Sequence, residues 1–318
     1  MIKAVMSYSG DFYLDDNHVE QLKEQFPQVK FVAMNKEELV SEDLADAVVY
    51  VGWPSDEELQ AMPLLQWVQL PSAGADNYVN RPTMKESVVV TNASGVFGVP
   101  GAEHALALML AFTRQLPVHF RQQSERIWKR NPYCLEIQDS TVVVVGLGDI
   151  GTEVARKAKG LGAYVIAVKR SAGERPPFVD ELCKITDLDS ALAKADFIVL
   201  ALPSTDETNG IINADRIKLM KKGAVFVNVG RGTVVDELAL IEALQSGHLE
   251  GAGLDVTEVE PLPDTSPLWS MPNVIITSHA VGVTPKKSAR RTALLTTNIE
   301  RFLQGEALLN TVIRTRGY

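Results

Sequence analysis

The chain has 318 residues, 46% of them hydrophobic and 22% charged, an ordinary globular composition with room for two domains. Its 31 Lys and Arg against 40 Asp and Glu give a net charge of −9, which argues against nucleic acid or an anionic membrane as partner. No apolar run approaches the ~18 residues of a membrane span, and polar residues follow Met6 too soon for a signal peptide. Cys134 and Cys183 have neither metal spacing nor companions, so a reducing cytoplasm and no bound metal are expected.

Residues 1–100 alternate short apolar runs with polar helical stretches. Strands are expected at Ala4–Ser7, Phe31–Ala33, Ala47–Val51, Trp67–Leu70 and Val88–Thr91, with helices at Asp16–Gln25 and Asp56–Met62. Such alternation implies βαβ units and a mostly parallel sheet. Two loops follow strands here, Gly52-Trp53-Pro54 and Pro71 to Asp76, and ligands in open parallel sheets sit beyond the carboxyl ends of strands. Trp53 is a candidate apolar wall over a small substrate. Pro100-Gly101 reads as a domain junction ahead of an apolar helix, Ala102–Phe112, that must be buried in the core or against another subunit. His104 on that helix reads as a packed or partner-facing residue. The polar, aromatic stretch 114–139 has no strong period and reads as a surface connection or an arm reaching a second subunit.

A second set of βαβ units runs from Thr141 to about Ser278. Its strands are expected at Thr141–Val145, Tyr164–Val168, Phe197–Leu200, Ala224–Val229, Gly253–Val256 and Val274–Thr277. The first ends in Gly146-Leu147-Gly148-Asp149-Ile150-Gly151, a G-x-G-x-x-G turn, and a helix-prone segment, Thr152–Lys159, follows at once. Glycines at this spacing permit a tight turn, close approach of backbone to a pyrophosphate, and close packing of helix on strand. The helix N-terminus adds unpaired N–H groups and a positive dipole end. Asp149 is an odd neighbour for a pyrophosphate and is expected to face solvent. Past Pro285 a last helix, 286–304, and a tail are expected to pack back on the first domain.

The next strand end discriminates between cofactors. An NAD site usually places an acidic residue about 20 residues past the glycines. Here that place reads Lys169-Arg170-Ser171, two cations and a hydroxyl suited to a 2′-phosphate, so NADP(H) is the expected cofactor, with NAD(H) a lesser possibility. Three later strands deliver Arg231 between two glycines, a loop carrying Glu258 and Glu260, and His279. Together they place a cation, a carboxylate and a histidine at successive strand ends of one nucleotide domain, where a reacting molecule would meet a nicotinamide.

These motifs resemble those of the D-isomer-specific 2-hydroxyacid dehydrogenases, a family that includes glyoxylate and hydroxypyruvate reductases. The resemblance spans the chain: Ser72-Ala73-Gly74-Ala75-Asp76, Glu103-His104-Ala105, the glycine turn, Leu202-Pro203 with Thr205 and Thr208, Asn228-Val229-Gly230-Arg231-Gly232, Gly253-Leu254-Asp255-Val256 through Glu260-Pro261-Leu262, and Ser278-His279. It implies an α/β chain of two doubly wound parallel-sheet domains, a Rossmann-type nucleotide domain (101–285) inserted in a flavodoxin-like substrate domain (1–100 and 286–318), with a cleft between them. It implies Arg231, Glu260 and His279 as the catalytic three. It also implies cofactor contacts at Leu202, Pro203, Thr208, Val229, Gly230, Asp255 and Gly282, and substrate contacts at Ser72, Ala73 and Gly74 beside Arg231 and His279. The expected reaction is NADPH-dependent reduction of a small 2-oxo acid to the D-2-hydroxy acid, with His279 as general acid, in a homodimer. Many members have Pro where this chain has Ser278, and the segment after His279 is too short for an additional regulatory domain. The alternatives are a formate- or phosphite-type dehydrogenase, which would want Gln in place of Glu260, and a nucleotide-sensing module with little turnover.

Overall fold

The computed structural model describes residues 1–79, 81–171 and 173–314. They form two compact units, one of residues up to Phe97 with those from Thr284 onward, the other Gly98–Val283. Positions 315–318 of the expected C-terminal segment lie outside the described residues.

The first unit is built on a parallel sheet of β1 (Ile2–Tyr8), β2 (Val29–Asn35), β3 (Ala47–Val51), β4 (Trp67–Gln69) and β5 (Val89–Thr91), in the order β2-β1-β3-β4-β5. The order reverses between β1 and β3, as in flavodoxin-like sheets. Its helices are α1 (Asp16–Gln25), α2 (Ser41–Leu44), α3 (Asp56–Ala61) and α4 (Asp76–Val79), with Lys287–Gln304 returning from the far end of the chain. Local chemistry sets the helix starts. Asp15 accepts the His18 N–H at α1, and Ser55 and Glu58 cap each other reciprocally at α3. Consecutive residues of β1 are buried, the signature of a parallel strand covered on both faces.

The second unit holds β6 (Thr141–Val145), β7 (Tyr164–Lys169), β8 (Glu181–Lys184), β9 (Phe197–Leu200), β10 (Ala224–Asn228), β11 (Leu249–Leu254) and β12 (Val274–Ile276), in the order β12-β11-β10-β9-β6-β7-β8. Every pairing is parallel, and the order reverses between β6 and β9, the arrangement of a Rossmann sheet. The helices are α5 (Gly98–Thr113), α6 (Leu116–Ser124), α7 (Asp149–Gly160), α8 (Leu188–Leu192), α9 (Ala214–Leu219) and α10 (Glu237–Gln245). Two apolar clusters fill the two faces. Val143, Val145, Ile198 and Phe226 point to one, and Val142, Val144, Val199 and Val227 to the other.

Four sequence expectations need correction. The junction read at Pro100-Gly101 falls slightly earlier, between Phe97 and Gly98, and Pro100-Gly101 lie in the first turns of α5, where a proline sacrifices no intrahelical bond. Helix α6 forms within the stretch read as irregular; none of its residues is buried, so no apolar stripe marked it. The edge strand β8 was also not expected, being short and only half-buried. Asp149 does not face solvent: it is half-buried, and its carboxylate lies so close to Gly98 that a methyl group there would collide with it. After α6 the chain leaves Ile127, Trp128 and Tyr133 exposed, with Leu116 and Phe120 exposed on the helix itself. No helix among the described residues is long and apolar enough to cross a membrane.

Helix α5 runs against β11 at very short range. A Cβ on Gly253 would stand 2.9 Å from the Leu108 Cβ, and one on Gly251 would meet the Phe112 ring and stand 2.8 Å from the Asn273 carbonyl. The backbone carbonyl cannot yield as a flexible side chain does. Gly251→Ala is therefore expected to destabilise the protein by about 1–3 kcal/mol through overpacking, measured as a lower thermal midpoint, whereas an unchanged midpoint would mean the contact relaxes freely.

Candidate active site

The glycine turn closes the carboxyl end of β6 at the point where the sheet order reverses. Gly146 has φ +99°, a conformation side chains rarely adopt, and an added Cβ would lie 2.6 Å from the Ala201 carbonyl. Gly151 packs directly on the Gly146 carbonyl, so α7 sits close on the strand. Gly148, the N-cap of α7, is exposed with nothing within 4 Å of its missing side chain. Two glycines thus serve packing and the third leaves space, a cradle that fits a pyrophosphate at a helix N-terminus. Leu147 and Ile150 are half-buried, and Ile150 packs against Gly101 of α5.

Lys169 ends β7, and Arg170 and Ser171 follow it. Arg170 donates to Glu207 at 3.0 Å in an exposed ion pair, and Ser171 is exposed. Glu207 belongs to the loop after β9, where Thr208 donates to the Pro203 carbonyl at 2.7 Å and accepts from the Thr205 N–H at 2.9 Å. Thr208 thus shapes the Leu202–Pro203 turn from within. An exposed pair such as Arg170–Glu207 contributes about 0–1 kcal/mol, little resistance to a competing anion.

Arg231 is held by its neighbours on both sides. Gly230 lies on Leu202, with an added Cβ 2.6 Å from that carbonyl, and Gly232 lies on the Thr257–Glu258 backbone. Asn228, buried at the end of β10, accepts the Gly230 N–H at 3.0 Å and donates to the Arg231 carbonyl at 2.9 Å. The loops after β9, β10 and β11 are thereby pinned together around one guanidinium-bearing residue, which is itself half-buried. Val229 is buried in the core, so only its backbone is available to a ligand.

His279 stands just beyond β12 with Nδ1 2.7 Å from Glu260 Oε2, and Glu260 Oε1 accepts the Thr257 N–H at 3.2 Å. A carboxylate only accepts, so Nδ1 carries the hydrogen and Nε2, which has no partner among the described residues, is the nitrogen left to act. The histidine has φ +51°, in the left-handed region. Asp255 holds it there. The Asp255 carbonyl accepts the His279 N–H at 2.8 Å, and its carboxylate accepts Ala280 N–H at 2.8 Å, Val281 N–H at 3.0 Å and the Thr277 hydroxyl at 2.5 Å. The side chain is sealed from solvent. Its bonds therefore go to the loop that carries His279 and leads into Gly282. Sequence reasoning missed Asn228 and Thr277, although a polar residue ending an apolar strand was a usable signal.

In the first unit, Trp53 Nε1 donates to Ser72 Oγ at 3.2 Å, and Ser72 donates to the Gly74 carbonyl at 2.8 Å. Gly52, at φ +146°, passes 2.9 Å from the Ser7 carbonyl as measured from a would-be Cβ, which explains a glycine before Trp53. Asn92 donates to the Ala73 carbonyl at 2.9 Å, and buried Arg291 donates to the Pro71 carbonyl at 2.9 Å from between the Phe12 and Phe97 rings. Burial pushes the Asp11 carboxyl upward, but the cations of Lys287 and Arg291 outweigh it and hold Asp11 below the usual carboxylate range. The loop's carbonyls are thus tied back, while the N–H groups of Ala73 and Gly74 have no acceptor among the described residues. Two successive N–H groups left without an acceptor are available to an anion.

A protein built this way is an α/β dinucleotide-binding enzyme. Residues 106–281 match the model of the NAD-binding domain of the D-isomer specific 2-hydroxyacid dehydrogenases. Over 311 residues the chain is 34% identical to the glyoxylate reductase of Thermococcus kodakarensis, covering 92% of each protein. It spans about half of the longer D-3-phosphoglycerate dehydrogenase of Mycobacterium tuberculosis, 47% of that protein, at 38% identity over 252 residues. Among solved structures it resembles a D-isomer specific 2-hydroxyacid dehydrogenase from Xanthobacter autotrophicus Py2 in complex with NADPH and MES, with TM-score 0.87, 32% identity and 99% of each chain covered. It also resembles the NADPH-dependent glyoxylate/hydroxypyruvate reductase of Sinorhizobium meliloti in complex with NADP and sulfate, with TM-score 0.85, 28% identity and 100% of each chain covered. The chain belongs to the D-isomer specific 2-hydroxyacid dehydrogenase family and is an NAD(P)-dependent oxidoreductase.

Proposed function

We propose that this enzyme reduces a small 2-oxo acid of the glyoxylate or hydroxypyruvate type to the D-2-hydroxy acid, with NADPH as the preferred reductant. The observation that carries the reading is the His279–Glu260 pair at 2.7 Å, on a loop fixed by Asp255, in a unit with a complete glycine cradle. Bound in that cradle, the dinucleotide supplies hydride to the 2-carbon of the substrate. Gly146, Leu147, Gly148, Asp149, Ile150 and Gly151 would hold its pyrophosphate by backbone, and Leu202, Pro203, Val229, Gly230 and Gly282 would contact the rest of it. Thr208 acts there indirectly, through Pro203, and Asp255 through the loop it fixes.

The carbonyl oxygen of the substrate gains negative charge as the 2-carbon is reduced. His279 gives it a proton from Nε2, while Glu260 orients the ring through Nδ1 and offsets the imidazolium charge. Arg231 binds the substrate carboxylate as a fork and polarises the adjacent carbonyl. In the first unit, taken by itself, the N–H groups of Ala73 and Gly74 are proposed donors for an anionic group of the substrate, with Ser72 and Trp53 beside them as an apolar and hydroxyl wall. Glu260 disfavours a formate-type site, and the paired histidine and carboxylate disfavour a pure sensor. The relatives named glyoxylate reductase and glyoxylate/hydroxypyruvate reductase support the substrate class.

Following NADPH absorbance with glyoxylate, hydroxypyruvate, pyruvate and phenylpyruvate tests the proposal. Turnover is expected with the first two, and none with any 2-oxo acid would reject it. His279→Ala is expected to lower kcat by roughly 100-fold or more; a near-normal value would remove His279 from the chemistry. Arg170→Ala is expected to raise the KM for NADPH at least several-fold, the scale of about 1 kcal/mol for an exposed ion pair, and to leave that for NADH almost unchanged. Equal effects on both cofactors would overturn the assignment of Lys169, Arg170 and Ser171 to the 2′-phosphate. We also propose a homodimer through α5 and the exposed apolar residues after α6, for which sedimentation as a monomer would be decisive against.

A further inference from the structure

His104 was read from sequence as a packed or partner-facing residue, and the structure gives its imidazole a defined partner. Nε2 lies 2.9 Å from Thr277 Oγ1 and 3.4 Å from Asp255 Oδ1. The Thr277 hydroxyl hydrogen is committed to Asp255, because a carboxylate supplies none. The Thr277 oxygen must therefore accept, and His104 Nε2 must carry the hydrogen it receives. The chain of donors runs one way, from His104 through Thr277 to the carboxylate that fixes the His279 loop.

The packing of α5 on β11 explains how a helix side chain reaches this point. His104, Leu108 and Phe112 are spaced four apart on α5, a rise of about 6 Å per step. They stand against Asp255, Gly253 and Gly251, spaced two apart along the strand at about 6.6 Å per step. The two glycines let the helix approach closely, and the matched steps carry His104 to the strand end.

We propose that His104 is a positioning residue for the reaction: it orients Thr277, completes the bonding of the buried Asp255 carboxylate, and so keeps His279 in its left-handed, reactive position. This rests on the reaction proposed above. His104→Leu removes the donor at similar size, and His104→Gln restores an N–H at the position of Nε2. The leucine variant is expected to lose at least about tenfold in kcat, the scale of a misplaced catalytic group. Its KM for the 2-oxo acid should stay within about twofold, since Arg231 is untouched, and the glutamine variant should recover most of the loss. Thr277→Val should match the leucine variant, and the double variant should be no worse than either. The imidazole NMR signals of His279, recorded without substrate, give a readout independent of turnover. They should shift in His104→Leu and return in His104→Gln. A leucine variant with wild-type kcat, a glutamine variant no better than leucine, or unmoved His279 signals would each overturn the role of His104. A wild-type enzyme that reduces no 2-oxo acid would instead overturn the reaction, and the NMR comparison would still decide the question of His104.

Discussion

One buried carboxylate organises the reactive end of the second unit. Asp255 has no access to water, so each of its oxygens must find donors within the chain, and it finds them almost entirely in Thr277, Ala280 and Val281. A buried charge left without such partners would be costly by several kcal/mol, which makes the bonding obligatory. The loop after β12 therefore has little freedom. It must fold back over the end of β11, and His279 must take a positive φ to do so. The pairing with Glu260 follows once the ring is delivered to that place.

The same logic of close approach recurs across the unit. Glycine at 151 brings α7 onto β6, at 146 it brings the β6 turn onto Ala201, at 230 and 232 it brings three loops around Arg231, and at 251 and 253 it brings α5 onto β11. In each case an absent side chain sets a backbone distance, and the distance places a polar group. In this chain the glycine-rich segments deliver functional groups by close contact.

Much of this was legible in the sequence. The β-branched runs at Thr141–Val145 and Phe197–Leu200 are strands with those bounds, because fully buried parallel strands leave an uninterrupted apolar run. Asp16–Gln25 was readable from its cap and its spacing. Where the expectation failed, a physical signal was missing. Helix α6 buries nothing, β8 is a half-buried edge, and Pro100 belongs to a helix because the first turn tolerates it. His279 and Glu260 were nameable from their motifs, but the assignments of Asp149 and His104 were not. Those depend on which helix face meets which strand, information that no local pattern holds.

The pair between Arg170 and Glu207 gives the other end of the unit a distinct character. The guanidinium there already has an anion beside it, so any phosphate that arrives exchanges one counter-ion for another. Were a 2′-phosphate bound here as proposed, discrimination would be the difference between two ion pairs in water rather than the full strength of one. Such a difference is small, depends on salt, and can be reset by replacing a single exposed carboxylate while the reactive end stays untouched.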